Sequence, residues 1–83
     1  MEPIARTPKQ IGTVLRRYRR QRELTQAELG TRMSVRQATV SKLEAGEPAT
    51  QLRTLMDALA ALDLELVIQP RNKTSPADIE ELF

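Results

Sequence analysis

Cysteine and histidine are both absent from this chain. Without cysteine there is no disulfide and no thiolate metal site. Without histidine the commonest general base and the commonest metal ligand are missing as well. There is also no glycine-rich phosphate loop and no convergent pair of carboxylates. An enzyme is therefore not expected, and neither is a metal or any other cofactor. Aromatic residues number only two, Tyr18 and Phe83. No apolar run approaches the ~20 residues that cross a bilayer, so no membrane association is expected. The opening Met1-Glu2-Pro3-Ile4-Ala5-Arg6 has no apolar stretch of the secretory kind. The cytoplasm is the expected location.

What is present is 83 residues, enough for one small domain. A chain of this size buries only about 60% of its extended-chain surface, so its core is marginal. Oligomerisation is the remaining route to extra stability. The hydrophobic share of 40% and charged share of 29% suit a folded helical domain. Charge is divided unevenly. Residues 1–42 hold ten Lys/Arg and three Asp/Glu, whereas residues 43–83 hold three and eight. The halves carry +7 and −5 and together return the overall +2. A basic half points to a polyanionic partner and an acidic half to a different one; a solvated face is the plainer alternative.

Periodicity divides the chain into helices. Residues 1–7 read as an N-terminal arm. Thr7-Pro8-Lys9-Gln10 is a helix start, with Thr7 as cap, Pro8 at the first helical position and Gln10 at the capping-box position. The first helix is expected over 8–22, with Ile11, Val14, Leu15 and Tyr18 on its apolar face and Arg16, Arg17 and Arg20 opposite. Arg19 falls at the stripe edge, about 80° from Ile11. Thr25-Gln26-Ala27-Glu28 is a capping box, preceded by Leu24 as a staple residue, and opens a short second helix ending near Met33. Ser34-Val35 makes a tight connection. A third helix is expected over 36–44, with Val40 and Leu43 inward and Ala45-Gly46 as its stop. Thr50 is a cap for a fourth, whose apolar stripe is Leu52, Leu55, Met56, Leu59 and Leu62.

Asp63 breaks that helix. Leu64-Glu65-Leu66-Val67-Ile68-Gln69 is rich in branched aliphatics, and Pro70 closes it. It reads as a strand, and no other segment does. A lone strand leaves its backbone groups unpaired, so Leu64, Leu66, Val67 and Ile68 are expected to pair antiparallel with the same segment of a second chain. The alternative is that the fourth helix continues through 64–69. The fold class is all-α: a compact four-helix domain over 8–69 with one short dimerisation strand in a homodimer. Residues 70–83 read as a flexible tail ending Asp78-Ile79-Glu80-Glu81-Leu82-Phe83. Its end is either inert or a docking or protease-recognition peptide.

A short helix, a tight turn and another short helix, set between a first and a fourth, is the helix-turn-helix plan. Leu24-Thr25-Gln26-Ala27-Glu28-Leu29, followed by Gln37-Ala38-Thr39-Val40-Ser41-Lys42-Leu43-Glu44-Ala45-Gly46, resembles the Cro/phage-repressor (XRE) helix-turn-helix family. The match covers roughly residues 9–62. With a Leu-rich strand and a short tail behind it, the chain is most similar to the HipB-type antitoxins. Glu23, Ser34 and Asp63 stand where that family usually has glycine. Each falls just after a helix or in a turn, where φ > 0 is often required.

The expected chemistry follows from the third helix. Arg36 can pair bidentately with guanine and Gln37 with adenine. Ala38 lets the helix approach closely and can touch a thymine methyl, and Ser41 can donate or accept. Thr39 and Lys42 are placed for phosphates. The resemblance implies that Gln26 is a phosphate ligand and that Arg19 and Glu44 form an interhelical salt bridge. It implies a transcriptional repressor that is also an antitoxin, autoregulating its operon and binding a kinase-fold toxin resembling HipA. Its DNA would be a double-stranded operator with an inverted repeat, and its location the bacterial cytoplasm, on the nucleoid. A stand-alone XRE repressor with no toxin is the alternative. A protein-binding module that has lost DNA affinity is a third reading, opposed by Arg36, Gln37, Ser41 and Lys42.

Overall fold

A computed structural model describes residues 3–71. They form four helices: α1 (Pro8–Gln21), α2 (Gln26–Met33), α3 (Gln37–Glu44) and α4 (Leu52–Ala61). Packing of α2 on α3, α1 on α3 and α2 on α4 encloses one core. Leu15, Leu29, Val40 and Leu62 are its fully buried side chains. Residues 72–83, which hold most of the expected tail, lie outside the described residues.

The helix starts follow local chemistry. The Thr7 side chain accepts from the Gln10 N–H. Gln10 does not close the box on Thr7, however; its Oε1 accepts from the Arg6 N–H, one residue earlier. At α2 the box is complete. The Thr25 hydroxyl accepts from the Glu28 N–H, and Glu28 Oε1 accepts from the Thr25 N–H, each at 3.0 Å. The backbone and hydroxyl of Thr25 hold the Glu28 carboxyl below its ordinary value. Leu24 and Leu29, on either side of the cap, are both buried in the core, as a hydrophobic staple requires.

All four helices end alike. One N–H bonds back three residues and the next bonds back five: Glu23 to Arg20 and Leu24 to Arg19, Ser34 to Thr31 and Val35 to Gly30. Gly46 to Leu43 and Glu47 to Lys42, then Asp63 to Ala60 and Leu64 to Leu59, repeat the pattern. These are Schellman motifs, each turning on a left-handed residue. The values of φ are 55° at Glu23, 60° at Ser34, 84° at Gly46 and 56° at Asp63. Leu24, Val35 and Leu64 follow three of these turns and pack into or against the core. Apolar burial thus offsets the unfavourable backbone at Glu23, Ser34 and Asp63. Gly46 has a further constraint, because a Cβ there would stand 2.5 Å from Lys9 Cα.

Several expectations need correction. Arg36 is the N-cap of α3, extended at φ −75° and ψ 154°, and not its first helical residue. Gln51, not Thr50, caps α4, and its side chain makes no capping bond. The α4 stripe is split. Ala58, Leu59 and Leu62 are buried and Leu55 packs beside them, but Leu52 is 66% and Met56 44% exposed. At 100° per residue, Leu52 and Met56 lie about 70° and 110° round from the centre of the buried arc. Ala58, too small to attract notice in the sequence, takes the place expected of Met56.

The expected strand is not formed among the described residues; 64–70 have no regular secondary structure and no ladder. A single chain offers this segment no neighbouring strand. Helix continuation is excluded too, since α4 ends at Ala61 and Asp63 is left-handed. Leu64 packs against the core. Leu66, Val67 and Ile68 are exposed, Ile68 by 91%. No helix among the described residues is long and apolar enough to cross a membrane.

Candidate nucleic-acid interface

The site begins with how α3 is held. Val40 and Leu43 face the core and are buried. That rotation leaves Ala38, Ser41 and Lys42 exposed on the opposite side, with Gln37 exposed in the first turn. Arg36, also exposed, stands immediately before the helix. Thr39 is half-buried. Arg36 at the N-cap and Gln37, Ala38 and Ser41 within α3 are therefore all exposed, as a recognition helix requires of the side chains it offers to a groove.

The far end of α3 is anchored on α1. A Cβ at Gly12 would lie 2.7 Å from the Leu43 carbonyl oxygen and also meet that of Glu44, so only glycine permits this approach. Two helical turns on, Arg19 meets the Glu44 side chain. Arg19 Nε donates to Glu44 Oε2 at 2.6 Å, and Nη2 donates to Oε1 at 3.0 Å. Arg19 Nη1 donates to the Leu24 carbonyl at 2.7 Å. Both side chains are buried, and no buried side-chain polar atom among the described residues lacks a partner. A charge pair taken out of water is stable only when satisfied in this way.

Gln26, the first residue of α2, is drawn into the same network. Its Nε2 donates to Glu44 Oε1 at 3.2 Å, and its Oε1 accepts from Gln37 Nε2 at 3.5 Å. Gln26, expected at a phosphate, and Gln37, expected at a base edge, thus touch each other, and Gln26 also reaches the buried carboxylate; no local spacing reveals either contact. Gly12 belongs to no motif, and its only signal is its place one heptad before Arg19 on a helix that buries that face.

Thr39 and Lys42 line an open cleft with Glu47, Thr50, Gln51 and Thr54, between α3 and the start of α4. The first turn of α4 carries no acidic residue and no side-chain cap. Its first backbone N–H groups have no side-chain partner, and both the Lys42 ammonium and the Glu47 carboxylate line the cleft beside them. On α1, Arg16, Arg17 and Arg20 form a separate exposed basic groove with Thr13 and Gln21. Arg22 stacks over the Tyr18 ring at 5.3 Å. No cluster of three or more potential metal ligands occurs among the described residues.

Residues 15–68 match a family model described as helix-turn-helix. Antitoxin HipB of Escherichia coli is 29% identical over 75 residues, covering 90% of this chain and 85% of that protein. An HTH-type transcriptional regulator of Sinorhizobium fredii is 38% identical over 63 residues, which are 76% of this chain but 32% of the regulator. Among solved structures, a HipB variant in complex with an O2 20-mer superposes with a TM-score of 0.79 at 29% identity. That alignment covers 87% of this chain and all of the other. HipB in a HipA–HipB–O2–O3 complex gives 0.77 at 28% identity, covering 83% and 97%.

Proposed function

This chain belongs to the helix-turn-helix family of the Cro/phage-repressor type, and on that premise we propose that it is a sequence-specific DNA-binding repressor that also serves as an antitoxin. The carrying observation is that Arg36 at the N-cap of α3 and Gln37, Ala38 and Ser41 within it are exposed while Val40 and Leu43 are buried. Arg36 and Gln37 read bases through bidentate hydrogen bonds. Ala38 admits the helix to the groove, and Ser41 makes a further base-edge contact. Lys42 and Thr39, beside the uncapped start of α4, hold one phosphate, and Gln26 at the start of α2 holds another.

The working unit is a homodimer. Leu66, Val67 and Ile68 are exposed on a segment that lacks a ladder, and Leu52 and Met56 leave the α4 stripe unsatisfied. Pairing residues 64–69 with the same segment of a second copy satisfies both the backbone and the apolar surface. Two copies of α3 then face an inverted repeat. The second protein partner is a kinase-fold toxin resembling HipA, as the likeness to HipB in a HipA–HipB complex suggests. The chain acts in the cytoplasm, on the nucleoid, repressing its own operon.

Binding to its own promoter DNA tests the first part. Gln37→Ala costs ~1–3 kcal/mol and relaxes discrimination at one base pair per half-site. Lys42→Ala weakens all sequences alike and lowers the salt slope by about one unit. An unchanged ratio of specific to non-specific binding in Gln37→Ala would remove the base-reading role. Co-purification from the native operon tests the second part. Recovery of a kinase-fold protein supports the antitoxin, and recovery of the chain alone leaves a stand-alone repressor.

A further inference from the structure

From the charge and exposure of α1 we infer that its outer arginine face, formed by Arg16, Arg17 and Arg20, is the docking surface for the acidic residues 78–83 of this same chain, which cover it and keep it from DNA phosphates. The docking is independent of the proposed DNA reading; its effect on DNA binding rests on that reading.

The surface has charge and no described partner. α1 carries no acidic residue along its length. Gly12, Leu15 and Arg19 turn to the core. At 100° per residue, Arg16, Arg20 and Arg17 lie about 65°, 105° and 165° round from the mean of that buried direction. All three are exposed, and Thr13 and Gln21 complete the groove they form. Among the described residues the one ion pair is that of Arg19 with Glu44. Arg16 and Arg20 stand four residues apart, a spacing at which like charges on a helix repel. An anion laid along this face relieves that repulsion.

The chain itself holds a segment of matching charge. Asp78-Ile79-Glu80-Glu81-Leu82-Phe83 has three carboxylates and no cation, and no other six consecutive residues do. These residues lie outside the described ones. Their carboxylates equal the three guanidinium groups in number. Their apolar members suit the rest of the surface, because arginine stems are apolar and a phenyl ring stacks against a guanidinium. A phosphate backbone would answer the charge alone. Reach is sufficient as well. Seven residue steps separate Arg71 from Asp78 and span at most about 25 Å, close to the 26 Å middle dimension of the molecule. Tethering holds the segment near the face at about millimolar local concentration. A duplex bound without sequence preference must displace it, whereas the reading residues stand on another helix and stay open.

The full chain tests this in two ways. It has no cysteine, so Ala77→Cys gives a single site for a nitroxide label. In isotope-labelled protein, relaxation by that label should be strongest at the amides of residues 13–21. It should be lost when Asp78→Asn, Glu80→Gln and Glu81→Gln are combined. Relaxation strongest elsewhere, as beside Leu52 and Met56, or unmoved by the triple change, overturns the docking. The second readout is affinity for random-sequence duplex at ~50 mM salt. The triple change should raise it about tenfold and steepen the salt slope by about two units, as the freed arginines meet phosphates. In a chain already carrying Arg16→Gln, Arg17→Gln and Arg20→Gln, the same triple change should alter affinity by less than about twofold, because surface and occupant act as a pair. Equal gains in both backgrounds overturn the docking, since the acidic residues then repel DNA from a distance. Failure of every form to bind any duplex overturns the DNA reading and leaves the label to decide the docking.

Discussion

The two ends of this molecule are finished to different degrees. Where α1 meets α3, glycine lets the backbones touch, a bidentate ion pair is fully satisfied, and Gln26 and Gln37 extend the order to the surface. At the other end, Leu52 and Met56 leave two of the five residues of an apolar stripe exposed, and Leu66, Val67 and Ile68 follow on a segment with no ladder. At the first end directional bonds satisfy every buried polar side-chain atom among the described residues. The second has apolar surface but nothing of its own to bury it against. A small domain can keep such a surface if a second chain covers it, and the covering then supplies the stability that its short core lacks. The two ends are thus governed by different physics, directional polar bonds at one and uncovered apolar area at the other.

Breaking the closed end should have the largest effect. Glu44→Ala leaves the Arg19 guanidinium buried without its partner, a loss of ~3–5 kcal/mol for a pair of this kind. Urea denaturation followed by circular dichroism measures it. A loss below about 1 kcal/mol would class the pair with exposed ion pairs and dissolve the contrast between the two ends.

Breaking the open end should act through association. Val67→Pro removes a ladder donor and fixes φ. Sedimentation should then find monomers, and the melting temperature should lose its dependence on protein concentration. An unchanged dimer would mean that residues 64–69 are not the shared strand. Met56→Ser, on the exposed side of α4, sharpens the same point by leaving the single-chain core untouched.

The smallest effect lies at the joint between the two. Asp63 turns the chain out of α4 at φ 56°, a region that aspartate tolerates fairly well but glycine enters more freely. Asp63→Gly should raise stability by about 0.5–1 kcal/mol, the left-handed penalty less the entropy that glycine loses on folding. Thermal denaturation detects it, and a destabilised variant would show that the Asp63 side chain contributes something the backbone account omits.

Much of this was legible in the sequence, for identifiable reasons. The capping box at Thr25 and Glu28 is a local device whose partners are three residues apart, so spacing alone reveals it. The four helices and the rotation of α3 follow from apolar periodicity. The left-handed turns at Glu23, Ser34 and Asp63 could be located only by resemblance, since none of the three residues announces φ > 0 by itself. What could not be read depends on distance across the fold. The closeness of Gly12 to α3 and the contact of Gln26 with Glu44 join residues 18 or more apart in sequence. The split of the α4 stripe was hidden because an alanine, Ala58, completes one edge of its buried side. The segment 64–69 has the composition of a strand, but a strand is a relation between two segments, and one chain contains only one of them.

The central claim is that a two-fold dimer sets two copies of the α3 surface on one side of a duplex. Footprinting on the protein's own promoter tests it most directly. Two protected half-sites should appear as an inverted repeat, with centres about 10 bp apart or a multiple of that, and with one chain bound per half-site. Inserting about five base pairs between them should abolish tight binding, because half a turn carries one half-site to the opposite face. A single asymmetric footprint filled by one chain, or half-sites that tolerate the insertion, would contradict the account.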